Sequence, residues 1–198
     1  MNKIKKISFI VAGIATLTAM NAAMAVAPLP TGWYLEGNVG NSKVSNVSYA
    51  AGSSLTSSGV GLNLNVGYKF IPFFGMEAGY TKYANTSSKV GNVKVASASY
   101  YSYDIAAKPL LPIGDTGAEL FAKLGIAHLH SKVTADSTVP GVAVSTGKNN
   151  VNGYYFGLGA DYYFLPMAAI NGQWQRAKGN SQTGTLDLYS LGLSYLFG

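Results

Sequence analysis

The sequence of 198 residues contains no cysteine, and only 11% of its residues are charged. The absence of cysteine excludes disulfide frameworks and thiolate chemistry. The two histidines show no spacing typical of a zinc site, so we expect no metal and no cofactor. Water-soluble domains carry about 25% charged residues, and the low charge therefore indicates that something other than water covers much of the surface.

The chain also lacks the run of about 20 apolar residues that a membrane-spanning helix needs. Its most apolar stretch, from Ile7 to Met20, is shorter and follows three lysines near the N-terminus. Ala23-Met24-Ala25 then forms a small-x-small cleavage site. This order of features predicts a cleaved signal peptide over residues 1–25 and a single domain over residues 26–198.

The excess of positive charge is small once the signal peptide is set aside. The formal charge of the whole chain is +6, and three of its cations are the signal-peptide lysines. The remaining 11 lysines and arginines stand against 8 acidic residues and are scattered along the chain. We therefore expect no nucleic-acid partner.

What the sequence does contain is alternation with a period of two. The clearest run extends from Val60 to Phe70, where every second residue is apolar and the residues between are glycine, asparagine or lysine. A period of two is the signature of a β-strand with two different faces. Eight such segments occur: Trp33–Gly40, Val60–Phe70, Phe74–Tyr83, Tyr101–Lys108, Glu119–Ile126, Tyr154–Phe164, Ile170–Gln175 and Tyr189–Phe197.

Short and long connections alternate between these segments. Ile71-Pro72-Phe73 and Leu165-Pro166-Met167 are tight, and Pro109 to Thr116 is of modest length. The long polar connections are Ser42 to Ser58, Asn85 to Ala96, Ser131 to Asn150 and Ala177 to Gly184. An even number of strands joined in this way predicts an all-β fold, an eight-stranded antiparallel up-and-down transmembrane β-barrel with both termini at the same end.

The two faces of the predicted strands decide between a membrane barrel and a soluble one. A soluble barrel such as a lipocalin-like binder has an apolar interior and a charged exterior, whereas here one face is almost purely apolar over the strand centres. The other face collects the charges, which we expect to form an ionic network in a lumen too narrow for a diffusion pore. These residues are Glu36, Lys69, Glu77, Asp104, Lys108, Glu119, Lys123 and Asp161.

Four pieces of sequence carry a family likeness: Gly32-Trp33-Tyr34, Phe121 to Gly125, Gly153 to Asp161, and Tyr189 to Phe197. In them the chain resembles the small outer-membrane β-barrel family typified by the OmpA transmembrane domain, OmpX and the opacity proteins. The resemblance implies the outer membrane of a Gram-negative cell, with both termini in the periplasm. It also implies that insertion machinery reads the terminal aromatic, Phe197, although Gly198 follows it here.

The predicted function is that of an integral outer-membrane protein with a role in envelope structure. Its extracellular loops would serve adhesion or surface recognition, as the family resemblance implies. Cationic side chains continue the apolar phase of several strands to the extracellular rim, where lipopolysaccharide phosphates lie. They are Lys43, Lys82, His128, Lys148 and Arg176. The plainer alternative is that these side chains extend into water beside the loops.

Two other functions remain open at the level of sequence, although we do not expect an enzyme. Some barrels that resemble this one modify lipid A, and His128, His130, Ser131 and Asp187 offer the residue types of a catalytic triad near the outer leaflet. A narrow ion path through the charged lumen is the third possibility.

Overall fold

The computed structural model describes residues 29–45, 54–56, 58–90, 93–135, 146–180 and 183–197. The predicted signal peptide, Gly198 and parts of the predicted loops lie outside the described residues. The described residues form no helix long and apolar enough to cross a membrane. The strands are β1 (Gly32–Ser45), β2 (Ser54–Thr56), β3 (Ser58–Ile71), β4 (Phe74–Lys82), β5 (Thr86–Val90), β6 (Val93–Pro112), β7 (Ala118–Ala135), β8 (Gly147–Leu165), β9 (Ala168–Lys178) and β10 (Thr185–Phe197).

Eight of these strands close into a barrel. The barrel strands are β1, β3, β4, β6, β7, β8, β9 and β10. Each of them pairs with the next in this order, and β10 pairs with β1. The short strands β2 and β5 extend the sheet beside β6, because β5 pairs with β6 and β2 pairs with β5. Every pairing is antiparallel. The predicted eight-stranded up-and-down barrel is therefore confirmed.

The strands are tilted in the barrel wall. A path from Lys43 through successive paired residues on β10, β9, β8, β7, β6, β4 and β3 returns to β1 at Trp33, ten residues away. This offset between start and finish is the shear that a closed sheet of tilted strands requires.

The two ends of the barrel differ. The turn end holds Gly32, Phe197 and the tight turns at Pro72-Phe73 and Pro166-Met167. It also holds the turn over residues 113–117, where the positive φ of Gly114 and Gly117 reverses the chain. We call the opposite end, with the long connections, the loop end.

Several segments predicted to be loops are partly strand. β5, the start of β6, the end of β7 and the start of β8 lie in the predicted loops from Asn85 to Ala96 and from Ser131 to Asn150. As a result β6, β7 and β8 are 20, 18 and 19 residues long, whereas the other five barrel strands have 9–14 residues. Beyond an apolar layer the outward face of a strand meets water, so pairing continues there without apolar residues on that face. We call the β6–β8 side of the barrel the tall wall.

The outward face carries an apolar belt between two aromatic zones. Exposed aliphatic side chains such as Leu64, Ile105 and Leu193 occupy its middle. Trp33 and Tyr68 make an edge-to-face contact near the turn end, with ring centroids 5.2 Å apart. Trp174 and Tyr189 are stacked near the loop end, at 6.4 Å. Aromatic zones on both sides of an apolar belt are typical of a β-barrel that spans a bilayer.

The interior has two parts. Towards the turn end it is polar and charged, and the eight residues predicted for the ionic network are all buried there. Towards the loop end an apolar cluster fills the barrel, and it includes Tyr83, Tyr100, Leu129, Tyr155, Leu186 and Leu188.

Candidate functional site

Glu36 lies at the centre of the charged interior. Its Oε2 is 3.3 Å from Lys108 Nζ, and its Oε1 is 3.3 Å from Lys123 Nζ. Lys108 also contacts Asp161 Oδ2 at 3.4 Å, and Lys123 contacts Glu77 Oε1 at 2.7 Å. Because each of these lysines contacts two carboxylates, the charges on neighbouring strands compensate one another away from water.

Neutral side chains donate further hydrogen bonds to the carboxylate oxygens. Asn38 and Asn65 each donate to Glu36 Oε1 at 2.9 Å, and Gln173 donates to the same oxygen at 3.2 Å. Tyr34 donates its hydroxyl hydrogen to Glu77 Oε2 at 2.9 Å. These donors fix the carboxylates at positions from which both lysines are reached, as a buried polar network requires.

Three members of the predicted network, Lys69, Glu119 and Asp104, lie apart from Glu36. Lys69 contacts Glu119 at 2.6 Å near the turn end. Asp104 makes no ion pair or hydrogen bond within the described part of the chain, and it faces Gly79 on β4. A Cβ at Gly79 would lie 2.7 Å from Asp104 Oδ1, so glycine leaves the room that this carboxyl group occupies.

The five cationic residues predicted at the rim all face outward from the barrel. His128 and Lys148 lie on β7 and β8 of the tall wall, and Lys82 lies beside it on β4, which pairs with β6. Lys43 and Arg176 lie on β1 and β9, on either side of β10. The predicted rim residues thus lie on five strands around the barrel, and β8, which carries Lys148, pairs with β9, which carries Arg176.

The cations on and beside the tall wall belong to one outward-facing surface. The residues paired across neighbouring strands divide this surface into three rows. One row runs from Lys82 through Tyr101 and His130 to Asn150, and the row nearer the turn end runs from Tyr80 through Tyr103 and His128 to Asn152. The third row pairs Lys132 with Lys148. We call these ten residues the basic–aromatic patch.

The rings of this patch are packed against one another. Tyr101 and His130 are stacked, with centroids 4.5 Å apart and planes inclined by 14°. Tyr80 and Tyr103 lie 5.2 Å apart, and the two histidine rings lie 4.6 Å apart. The His128 ring also forms a hydrogen bond with Asn152. The patch thus offers flat ring faces held by their neighbours, below a pair of exposed lysines.

Lys132 was missed in the sequence although it shares the outward phase of His128 and His130. It lies directly opposite Lys148, and both side chains are exposed. Like charges at directly opposed positions of an antiparallel pair destabilise the sheet. Continuing the outward phase of β7 by one further alternate residue would have found this pair.

The residues considered for a catalytic triad are not brought together. His128 and His130 face outward from β7, whereas Ser131 points inward and is buried. Asp187 lies on β10, which two strands separate from β7, and it is paired with Arg176. The described residues also contain no group of three or more side chains suited to hold a metal ion.

A closed antiparallel barrel with an apolar outward belt, two aromatic zones and a charged interior defines an integral membrane β-barrel protein. The model of the outer membrane protein beta-barrel domain matches residues 9–197, and the chain belongs to this family. Its place is accordingly the outer membrane of a Gram-negative cell. No curated protein sequence matches the chain.

Solved structures show the same fold at low sequence identity. The match to Neisserial surface protein A has 17% sequence identity and a TM-score of 0.61, and it covers 84% of this chain and 97% of the chain of that protein. OprG from Pseudomonas aeruginosa is 15% identical, covers 84% and 96%, and also has a TM-score of 0.61. Ail of Yersinia pestis, in a complex with the heparin analogue sucrose octasulfate, is 18% identical, covers 84% and 99%, and has a TM-score of 0.57.

Proposed function

We propose that the protein displays its loop end outside the cell, contributes to envelope structure, and recognises polyanionic glycans through the basic–aromatic patch. The observation that carries the proposal is the exposed pair of Lys132 and Lys148 above stacked Tyr101 and His130. Adhesion to a cell or matrix surface rich in sulfated sugars is the use that this chemistry fits.

The orientation follows from how such a chain is delivered. A signal peptide exports the N-terminus, and Gly32 and Phe197 then mark the turn end as the periplasmic end. In membrane barrels of this type the short turns face the periplasm and the longer connections face outward. The tall wall would then project from the outer leaflet and carry the patch with it.

Electrostatics supports an anionic ligand. Two opposed lysines repel each other by roughly 0.2–1 kcal/mol, and a sulfate or phosphate placed between them replaces this repulsion with charge-assisted hydrogen bonds. Lys82 adds a third exposed cation in the row below. The stacked rings of Tyr101 and His130 offer a flat surface of the kind on which sugar rings pack.

The likeness to Ail supports the same ligand chemistry. That protein has been crystallised with a sulfated sugar, which demonstrates that a barrel of this fold is compatible with such a ligand. The other functions considered from the sequence lack a comparable observation. A catalytic triad would need Ser131 outside the barrel, and an ion path would have to cross the apolar cluster around Leu129 and Tyr155.

The test is binding of sucrose octasulfate and heparin oligosaccharides to the protein in phosphatidylcholine nanodiscs that contain no lipopolysaccharide. The double variant Lys132→Gln/Lys148→Gln should weaken binding at least about tenfold, since loss of one charge-assisted hydrogen bond of about 1.5 kcal/mol already has this effect. The matched control is Lys43→Gln/Lys178→Gln, which removes the same charge from β1 and β9.

Unchanged binding by the control and weakened binding by the patch variant would support a specific surface on the tall wall. Equal losses in both variants would mean that the ligand responds only to net charge, and the proposal would be wrong. Retention of full affinity by the patch variant would contradict it as well.

A further inference from the structure

A second outward surface lies at the loop end on β9 and β10. Asp187 has the outward phase of its strand, yet only 3% of its surface is exposed. Arg176 Nε donates to Asp187 Oδ1 at 2.6 Å, and Nη2 donates to Oδ2 at 3.0 Å. Trp174 Nε1 donates to Oδ1 at 3.1 Å. The Asp187 carboxylate, on the outside of a membrane barrel, is thus covered by Arg176 and Trp174, which both donate hydrogen bonds to it.

This arrangement orients the guanidinium group. The contacts with Asp187 use Nε and one hydrogen of Nη2, and Arg176 also lies over the Trp174 ring, 5.3 Å from its centroid. Three N–H groups remain, at the Nη1 and Nη2 end, and about a third of the side chain is exposed. A guanidinium fixed in this way presents a fork that fits two oxygens of one phosphate group.

Further cations flank the fork. Lys43 on β1 lies directly opposite Asp187, on the side away from Arg176. Lys178 follows Arg176 by two residues and therefore shares its face of β9. Both lysines are exposed. Three cations against one carboxylate leave a local excess of two positive charges at the rim.

The surface below this rim is apolar and continuous with it. Trp174 contacts Phe156 edge-to-face at 5.5 Å and is stacked on Tyr189. Towards the turn end, the outward side chains of β10 are Leu191 and Leu193, which are 72% and 61% exposed. From the loop end towards the turn end, the surface therefore changes from cationic to aromatic to aliphatic. This order matches a phosphorylated lipid from its headgroup to its acyl chains.

We propose that Lys43, Arg176 and Lys178, with Arg176 oriented by Asp187 and Trp174, bind a phosphate group of lipid A in the outer leaflet. This inference depends on the orientation given in the proposed function, but not on glycan recognition by the tall wall. The rim cations then have two separate roles, since those beside β10 hold the envelope lipid and those on the tall wall meet ligands from outside.

Native mass spectrometry of the purified full-length barrel in detergent, titrated with lipid A, tests the proposal. Bisphosphorylated lipid A should bind about tenfold more tightly than dephosphorylated lipid A. Lys43→Gln/Lys178→Gln should remove most of that preference, and neither residue takes part in the Asp187 contacts that fix the fold locally. Arg176→Lys should weaken the preference too, because an ammonium group lacks the fork.

The matched control is Lys132→Gln/Lys148→Gln, which should keep the wild-type preference. Equal binding of the two forms of lipid A, or an equal loss in the control, would overturn the proposal. Phosphatidylglycerol bound as tightly as lipid A would identify a general phospholipid surface and would contradict the assignment to lipid A. Competition by inorganic phosphate alone at millimolar concentration would contradict it too, because it would identify a free-anion site instead.

Discussion

Replacement of Glu36 by glutamine is expected to be among the most costly isosteric changes in the barrel. Glu36 is fully buried and contacts Lys108 and Lys123 at 3.3 Å each, besides three amide donors. Glutamine keeps one acceptor oxygen but places an NH₂ group where only donors converge. Removing one partner of a buried ion pair costs roughly 3–5 kcal/mol. Since Lys108 and Lys123 each keep another carboxylate, we expect about 3 kcal/mol.

The assay is urea unfolding in lipid bilayers, followed by the fluorescence of Trp33 and Trp174. Asp104→Asn is the matched control, because it removes the same charge from the same lumen at a residue that makes no ion pair in the described part of the chain. We expect this variant to lose less than about 1 kcal/mol or to gain stability, since burying an uncompensated carboxylate is itself costly. A loss for Glu36→Gln no larger than that of Asp104→Asn would refute the account of the lumen.

Two further changes probe packing inside the barrel. Gly79→Ala should cost about 1–3 kcal/mol, because its Cβ would collide with the Asn65 side chain. Its control is Gly147→Ala, where no described residue beyond the chain neighbours lies within 4 Å of the added carbon, and stability should change by less than about 0.5 kcal/mol. Leu129→Ala should cost about 2–5 kcal/mol, because it opens a cavity in the apolar cluster. Leu124→Ala, on the outward belt, should cost less because lipid chains refill the space. Urea midpoints in bilayers measure all four, and equal losses within either pair would contradict these assignments.

The barrel could be predicted from sequence because lipid imposes a sharp rule on its strands. In the segment from Val60 to Phe70 one face meets hydrocarbon and the other meets the polar interior, so the alternation is strict. The rule ends where the lipid ends. The segment from Thr86 to Val90 forms a strand without apolar alternation, and it was therefore predicted to be a loop.

The interior was predicted only in part for a related reason. A period of two tells which residues share a face but not what surrounds that face at each height. Leu129 and Tyr155 share the inward phase of Lys123 and Asp161, yet they lie beyond the charged network and pack with Leu186 and Leu188. Their position depends on the tilt of the strands and on which strands are neighbours, and neither is encoded locally.

The contact between Arg176 and Asp187 also depends on register. The two residues are eleven positions apart, and their pairing follows from the turn between β9 and β10. A shift by one residue would turn one of them into the lumen. Sequence reasoning placed Arg176 at the rim, but it assigned Asp187 to a different role because the register was unknown.

Display of the loop end outside the cell is tested by cysteine labelling on intact cells, which the cysteine-free chain permits without background from its own residues. Thr146→Cys reports on the loop end and Asp115→Cys on the turn end, and both residues are exposed. With a membrane-impermeant maleimide, Thr146→Cys should be labelled in intact cells, and Asp115→Cys only after the outer membrane is permeabilised. Labelling of Asp115→Cys but not Thr146→Cys in intact cells would contradict the display of the tall wall outside the cell.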